Sequence, residues 1–265
     1  MCAKTKEGCL IKISTLTDQN LRDANQDSAL IVPKIINGKR AVLCMVADGM
    51  GGTDEGGIAS AIVKERVEQW IEKNPFALFD GSEIAEDYEK TLTDLVTRIN
   101  REIFDYGAEY MCSLGSTIAL IYIAEISHKN TYEYIALNIG DSRIYKFTDK
   151  RKGMQITKDQ TAAQMEIDRG NMTKEEAGKS PLQHKLTQCL GMETDPVPDF
   201  FRGKIKKGDY IMICSDGIYN RTEIDEIGEI IRAKKKTTKQ KLMLLIDKAK
   251  ESGEKDNATG IMIEV

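Results

Sequence analysis

Histidine is nearly missing from this chain: His128 and His184 are the only two in 265 residues. Zinc ligation by several imidazoles, or any mechanism built on a histidine cluster, is therefore excluded. A Ser-His-Asp triad would have to use His184, and no G-x-S-x-G elbow accompanies it. His184 reads instead as a helix residue with a local hydrogen bond, and His128 falls in the polar turn SHKNT. Paired cysteines are also missing. The six cysteines show no C-x-x-C spacing, and Cys44 and Cys214 sit in the apolar runs VLCMV and IMICS, which points to burial as small hydrophobes rather than to disulfides or zinc. An excess of one charge is missing: 38 basic and 42 acidic residues leave a net charge of -4, spread along the chain, which argues against nucleic acid as a partner. The one basic run, Lys234-Lys235-Lys236, lies between two helical patterns and reads as a solvated connection. No apolar stretch near the N-terminus has signal-peptide length, and none approaches the roughly 18–20 residues of a membrane span. A soluble, cytoplasmic chain with no membrane partner is expected. Proline is scarce, at five, and there is no linker, repeat or low-complexity tract. With 41% hydrophobic and 30% charged residues, a single globular domain over 1–265 is expected.

What is present is an alternation of β-rich and helical blocks. Leu10 to Thr15 and Asp27 to Val32 read as strands, and Ala41 to Ala47 (AVLCMVA) reads as a strand buried on both faces. Ala59, Ile62, Val63, Val67, Trp70 and Ile71 recur at helical spacing until Asn74-Pro75 stops them. A second helix is predicted over 83–106, with Ile84, Tyr88, Leu92, Leu95, Ile99 and Ile103 on one face. From 115 to 148 the runs STIALIYIA, TYEYIALNI and SRIYKF, separated by polar turns, predict an antiparallel meander. Thr173 to Glu176 fits a capping box. Strands near 200–205 and 209–214, helices near 223–233 and 237–251, and a last strand ATGIMIEV complete the pattern. Strands in runs and helices in pairs imply packed sheets with helices outside.

Against this background the aspartates stand out. Asp48 follows AVLCMVA, Asp216 follows YIMICS, Asp256 precedes the last strand, and Asp141 sits in IGDSR between two strands. A carboxylate at the mouth of a buried strand is costly unless a cation pairs with it. The sequence offers few cations nearby, whereas Mg²⁺ or Mn²⁺ would fit an all-oxygen donor set. The glycines of VADGMGG fit the same picture, since bare backbone lets a carbonyl approach an ion. One Asp-Gly pair would be only a turn; two of them at strand ends, with GDSR and a terminal DN, point to a metal site.

These stretches resemble the metal-dependent protein phosphatases of type 2C, the PPM family, in their bacterial form. RDANQDS (22–28), VADGMGG (46–52), LGSTIAL (114–120), NIGDSRIY (138–145), ITKDQT (156–161), LTQCLG (186–191), GDYIMICSDGIYN (208–220) and DNATGIMI (256–263) occur in the family's order over nearly the whole chain. The resemblance implies an α+β fold: a four-layer α-β-β-α sandwich with two mainly antiparallel central sheets, and a variable flap at about 150–185. It implies two divalent ions, Mn²⁺ or Mg²⁺. Asp48 would bridge both, the Gly49 carbonyl would ligate one, and Asp216 and Asp256 would hold the other. Asp141 would belong to a weaker third site, Arg22 would bind substrate phosphate through its planar fork, and Gln26, Asp27 and Asn257 would support the ligands.

The chemistry so implied is metal-dependent hydrolysis of phosphoserine and phosphothreonine. A metal-bridging hydroxide attacks in line, with Asp48, Asp216 and Arg22 as the catalytic set and no phosphoenzyme. Cys214 and Ser215 then need no chemical role. Partners would be phosphorylated proteins, including Ser/Thr kinases and their substrates, and the chain would be a monomer. Three departures matter. Gln26 stands where many members have Glu, Asn220 stands where some have an Asp for the third metal, and Met50 replaces a histidine that animal members use as a general acid. The leaving-group proton would then come from metal-bound water, so removing either histidine should cost only a few-fold in turnover. Gln26 and Asn220 also keep open a second reading, a catalytically weak phosphatase-like binding or regulatory module; retention of Asp48, Asp216, Asp256 and Arg22 argues against it.

Overall fold

Alternate residues of the run after Ala41 enter different cores. Leu43, Met45 and Ala47 join one cluster, while Val42, Cys44 and Val46 join another. Side chains of a strand alternate between faces, so a continuous apolar run fits a strand with packed layers on both sides. In the computed structural model of the protein, which describes residues 11–52, 55–127, 131–148, 151–233 and 235–265, this run is the middle of β3. The expected strand start at Leu10, the turn holding His128, and Lys234 lie outside the described residues.

The chain opens with β1 (Lys12–Asp18), β2 (Asp27–Ile36) and β3 (Lys39–Gly51), then the helices α1 (Glu55–Lys73) and α2 (Tyr88–Tyr110). Strands β4 (Leu114–Ser116), β5 (Ile118–Ser127), β6 (Thr131–Ile139), β7 (Arg143–Thr148) and β8 (Arg151–Gln155) follow. Short helices α3 (Ala162–Asp168) and α4 (Lys174–Ala177) and a 3-10 turn (Pro181–His184) precede β9 (Asp199–Lys206) and β10 (Tyr210–Cys214). The chain closes with α5 (Asp216–Tyr219), α6 (Ile224–Arg232), α7 (Thr238–Glu251) and β11 (Ala258–Glu264).

Two sheets result, of order β1-β11-β10-β7-β8 and β2-β3-β5-β6-β9, with β4 paired to β3; the neighbouring strands are antiparallel. Three apolar layers define four structural ones. Ile121, Ile123, Ile213 and Ile261 fill the space between the sheets. Val63, Val67, Leu92 and Ile99 of α1 and α2 cover the outer face of the six-stranded sheet. Ile227, Ile231, Leu242 and Leu245 of α6 and α7 cover the five-stranded one. Burying each such side chain contributes roughly 1.5–3 kcal/mol. The fold is therefore the α-β-β-α sandwich expected.

Two local expectations change. The second helix starts at Tyr88, not 83; Ile84 is still buried, but through an isolated bridge to Phe79 in the preceding loop. The runs at 118–147 are not one meander. Strands β5 and β6 pair, whereas β7 pairs with β10 in the other sheet, so the IGDSR turn carries the chain from one sheet to the other. Gly140, at φ 100°, makes that crossing in a conformation that side chains rarely adopt. Strands β9 and β10, only three residues apart, are likewise divided between sheets.

Candidate active site

Asp48 and Asp27 face each other as cross-strand partners of β3 and β2. Partners in a ladder project to the same face, and like charges there are destabilising unless compensated. The surrounding bonds nonetheless fix both residues. The Asp48 N–H donates to Thr117 Oγ1 at 3.0 Å, and the Thr117 N–H returns a bond to the Asp48 carbonyl at 2.9 Å. Asp27 accepts from the buried Ser215 hydroxyl at 2.7 Å, a bond that joins the two sheets. Asn257 ties the first loop to the last strand. Its Oδ1 accepts from the Gln26 N–H at 2.9 Å, and its amide donates to the carbonyls of Gln19 and Ala24 at 2.9 and 3.0 Å. Asn20, in the left-handed region at φ 54°, donates to the carbonyls of Glu254 and Asp256 and holds the same corner.

Two of the glycines after Asp48 also have a packing role. An added Cβ at Gly49 would collide with the carbonyl of Gly56, and one at Gly56 would lie 2.7 Å from both Gln26 Oε1 and the Gly49 carbonyl carbon. Backbone is packed on backbone here, so that the start of α1 can close over β3 and the Gln26 loop. Gly49 also lines the cavity.

That cavity, of about 530 Å³, opens at the loop end of the sandwich. Asp48, Asp141, Asp216 and Asp256 reach it from β3, the β6–β7 crossing, α5 and the loop before β11. Gly49, Gln26, Asn257 and Arg22 line it too, while Asp27, the cross-strand partner of Asp48, lies behind the lining. Burial, reinforced by the neighbouring carboxylates, pushes Asp141 up to about 8 and Asp27 to about 7. The same causes push Asp216 to about 6 and hold Asp48 well above the usual carboxylate range. Such mutual elevation marks several acids sharing one low-dielectric space with too little counter-charge to offset their burial. One buried oxygen on each of Asp27 and Asp216 has no hydrogen-bond partner. The other oxygen of Asp216 accepts from the Asn220 amide at 2.8 Å, and Arg22 grips Asp256 at 2.6 Å. Among the described residues no three acidic, histidine or cysteine side chains form a ready-made ligand cluster. The oxygens converge on the cavity, but Arg22 and Asn220 engage two of them. An all-oxygen donor set with orphaned acceptors fits a hard divalent cation.

The 156–198 segment builds the opposite wall. Its root is fixed at the crossing: Gln160 accepts from the Gly140 N–H and donates to the Asp199 carboxylate, both at 3.0 Å. Arg143 pairs with Asp159 at 2.5 Å and stacks 3.6 Å over the ring of Tyr219, whose hydroxyl donates to the Asp141 carbonyl at 2.9 Å. His184 is exposed on the cavity rim with Gln183, whose amide lies 3.1 Å from its ring nitrogen. The 3-10 turn lies within the flap expected at about 150–185, whereas nothing in the sequence marks Arg221 as lining the same space. Nothing in the sequence marks Thr117 and Ser142, whose hydroxyls bond each other at 2.7 Å, as supports of the site, and Ser215 was expected only to need no chemical role. The adjacency of Ser215 to Asp216 was the one available hint, and its use is to hold Asp27.

An α-β-β-α sandwich with a carboxylate cup at its loop end is the architecture of a metal-dependent phosphatase. The family model for protein phosphatase 2C matches residues 21–242, and the chain belongs to that family. It is 31% identical over 252 residues to a putative protein phosphatase 2C-type of Streptococcus pyogenes, covering 94% of this chain and 95% of that one. The solved serine/threonine phosphatase of S. agalactiae superposes with a TM-score of 0.80 at 29% identity, covering 96% and 99% of the two chains. The catalytic domain of the phosphatase PstP, solved in complex with two manganese ions, gives a TM-score of 0.73 at 27% identity over 96% and 97%.

Proposed function

We propose that this chain hydrolyses phosphoserine and phosphothreonine on proteins, using divalent metal ions, Mn²⁺ or Mg²⁺, held by Asp48, the Gly49 carbonyl, Asp216 and Asp256. The observation that carries this reading is the meeting of four aspartates from four separate elements, with Arg22, in one polar cavity. When bound, the ions supply Lewis acidity and an acidified water as nucleophile. The chain's own groups set the geometry. Asp48, fixed at its backbone by Thr117, presents its carboxylate from a rigid strand. Arg22, on its exposed loop, pairs with Asp256; with that carboxylate given to a cation, its fork would be available to grip two phosphoryl oxygens and neutralise charge that builds in the transition state. Asp27 and Asn257 keep Asp48 and the Asp256 loop in register, and Gln26 bonds the Gly52 carbonyl at 2.8 Å rather than facing the acids as a charge.

Asp141 contributes to a weaker third site, where Asn220 directs an amide, not a carboxylate, toward Asp216. The whole chain acts as one catalytic domain with the segment at about 150–185 as its flap. Its substrates are phosphoproteins, including Ser/Thr kinases, met by a monomer in the cytoplasm. The test is Mn²⁺-dependent hydrolysis of p-nitrophenyl phosphate and a phosphothreonine peptide. Hydrolysis that EDTA and Asp216→Asn both abolish is expected. Phosphopeptide binding with no metal-dependent turnover under any condition would favour the second reading, a phosphatase-like binding module, to which Gln26 and Asn220 lend support.

A further inference from the structure

The cavity has five acidic side chains in its lining, and a phosphorylated peptide must enter it as an anion. Only two arginines stand there to receive it. Arg22 is already engaged by Asp256 at 2.6 Å. Arg221 is in a different state. Its sole ion-pair neighbour among the described residues is Glu254, at the 4.0 Å limit of such a contact, and 63% of its side chain is exposed. Glu254 is shared: its Oε1 accepts the N–H groups of Lys255 and Asp256 at 2.7 and 3.0 Å, and only its Oε2 faces Arg221. The guanidinium of Arg221 therefore lines the cavity with most of its donors unspent.

Its base is anchored while its tip is free. Asn220 closes the short turn back to Asp216 through its backbone N–H at 2.9 Å, and the next residue, Thr222, is buried and bonds back to Tyr219. Arg221 thus projects from the same rigid wall that carries Asp216. Glu254 and Asp256 sit two residues apart on one turn, so the arginines they contact flank that turn.

On the reading that this site hydrolyses phosphoproteins, we propose that Arg221 is a specificity-determining residue. It takes a second anionic group, a carboxylate or another phosphate, placed a few residues from the phosphoresidue that Arg22 receives. An extended peptide advances about 3.3 Å per residue, so a neighbouring side chain reaches this wall without a turn. An arginine suits both anions because its fork pairs with carboxylate and phosphate alike.

The experiment compares three phosphothreonine peptides: one with neutral flanks, one with a glutamate and one with a second phosphothreonine at successive flanking positions. Values of kcat/KM are measured for the wild type, Arg221→Gln and Arg221→Lys, with melting temperatures as a folding control. Affinities of the matching non-hydrolysable phosphonate peptides are measured in parallel. The wild type is expected to favour the anionic flanks by about fivefold, mostly through KM, since an exposed pair contributes up to about 1 kcal/mol. In Arg221→Gln that ratio falls to about one, and Arg221→Lys keeps part of it. The glutamate and second-phosphate arms separate the two sources of charge. Equal ratios in wild type and Arg221→Gln, or no preference in the wild type, overturn the assignment. Wild-type hydrolysis of p-nitrophenyl phosphate without a flank preference leaves the phosphatase reading intact. If no substrate is hydrolysed at all, that reading fails, and the phosphonate affinities still decide the role of Arg221.

Discussion

On the cavity floor, Asp48 is held by Thr117, 69 residues away, Asp27 by Ser215, 188 away, and Gln26 by Asn257, 231 away. In the opposite wall Thr161 caps Gln164, Thr173 exchanges two bonds with Glu176, and Ser180 caps Leu182, all within three residues. Its ion pairs, such as Lys179–Glu175 and Arg169–Glu166, are exposed and local. The floor exists only when the whole sandwich is assembled, and distant bonds of that kind open only with global unfolding. The wall can loosen turn by turn. Chemistry that needs carboxylates placed to fractions of an ångström belongs on the first kind of structure, and recognition that must adapt to different peptides belongs on the second.

The largest effect that would sharpen this contrast comes from Asp48→Asn. A bridging carboxylate lost from a divalent site removes several kcal/mol of transition-state stabilisation, so kcat/KM should fall on the order of a thousandfold. Stability should move the other way. Asp48 is surrounded by Asp27, Asp216, Asp141 and Asp256, and removing one of five like charges relieves the metal-free protein. The melting temperature in EDTA is therefore expected to hold or rise. An active variant, or an inactive one that melts well below the wild type, would break the idea that the floor accepts electrostatic strain for the sake of its function.

The acids were readable in the sequence because each carries a cost at its own position: a charge at the end of an apolar run needs an explanation wherever the run goes. Alternation was readable for the same local reason, and β3, α1, α6, α7 and β11 lie close to where periodicity puts them. Sheet membership was not. A polar turn such as IGDSR signals reversal without saying which sheet receives the next strand, so β7 was expected beside β6 and lies beside β10. The supporting hydroxyls of Thr117 and Ser215 were hidden because their partners are far off in sequence. So was the pairing of Arg22 with Asp256, two residues expected to hold different ligands. For the glycines, the close approach of Gly56 to Gly49 is a further reason for bare backbone, and it joins residues that the sequence does not show to be in contact.

A middle-sized effect tests the floor through pH. Asp216, Asp27 and Asp141 titrate near 6, 7 and 8 in the folded metal-free protein, raised from about 4 in an unfolded chain. Between about pH 4 and 8 the folded state thus holds protons that the unfolded state has released, so stability falls as pH rises through that window. The melting temperature in EDTA should be lower at pH 8.5 than at pH 5.5 by several degrees. Divalent metal competes with those protons, so the increment on adding Mn²⁺ or Mg²⁺ should be larger at the higher pH. A metal-free protein that grows more stable toward pH 8.5 would mean the carboxylates are already compensated by the chain itself.

The smallest effect tests the wall. His184 stands on the cavity rim, close enough to Asp216 for its charge to be felt there, and the sequence alone gave it no such place. Position tempts one to give it the proton that a departing serine or threonine needs, since Met50 stands where animal members of the family carry a histidine. Its surroundings argue otherwise. The ring is exposed, one nitrogen lies 3.1 Å from the Gln183 amide, and the four-residue turn that carries it is tied down by local bonds. A general acid must keep hydrogen-bond reach of the leaving oxygen through the reaction, which a solvent-facing ring on a locally held turn does not secure. Water in the open cavity can deliver the same proton. His184→Ala should therefore lower kcat by no more than a few-fold, leave the shape of the pH–rate profile unchanged, and alter KM for peptides more than for p-nitrophenyl phosphate. A hundredfold loss in kcat with an intact melting temperature, together with loss of the basic limb of the profile, would move His184 from the adaptable wall into the chemistry and erase the division of labour between the two sides.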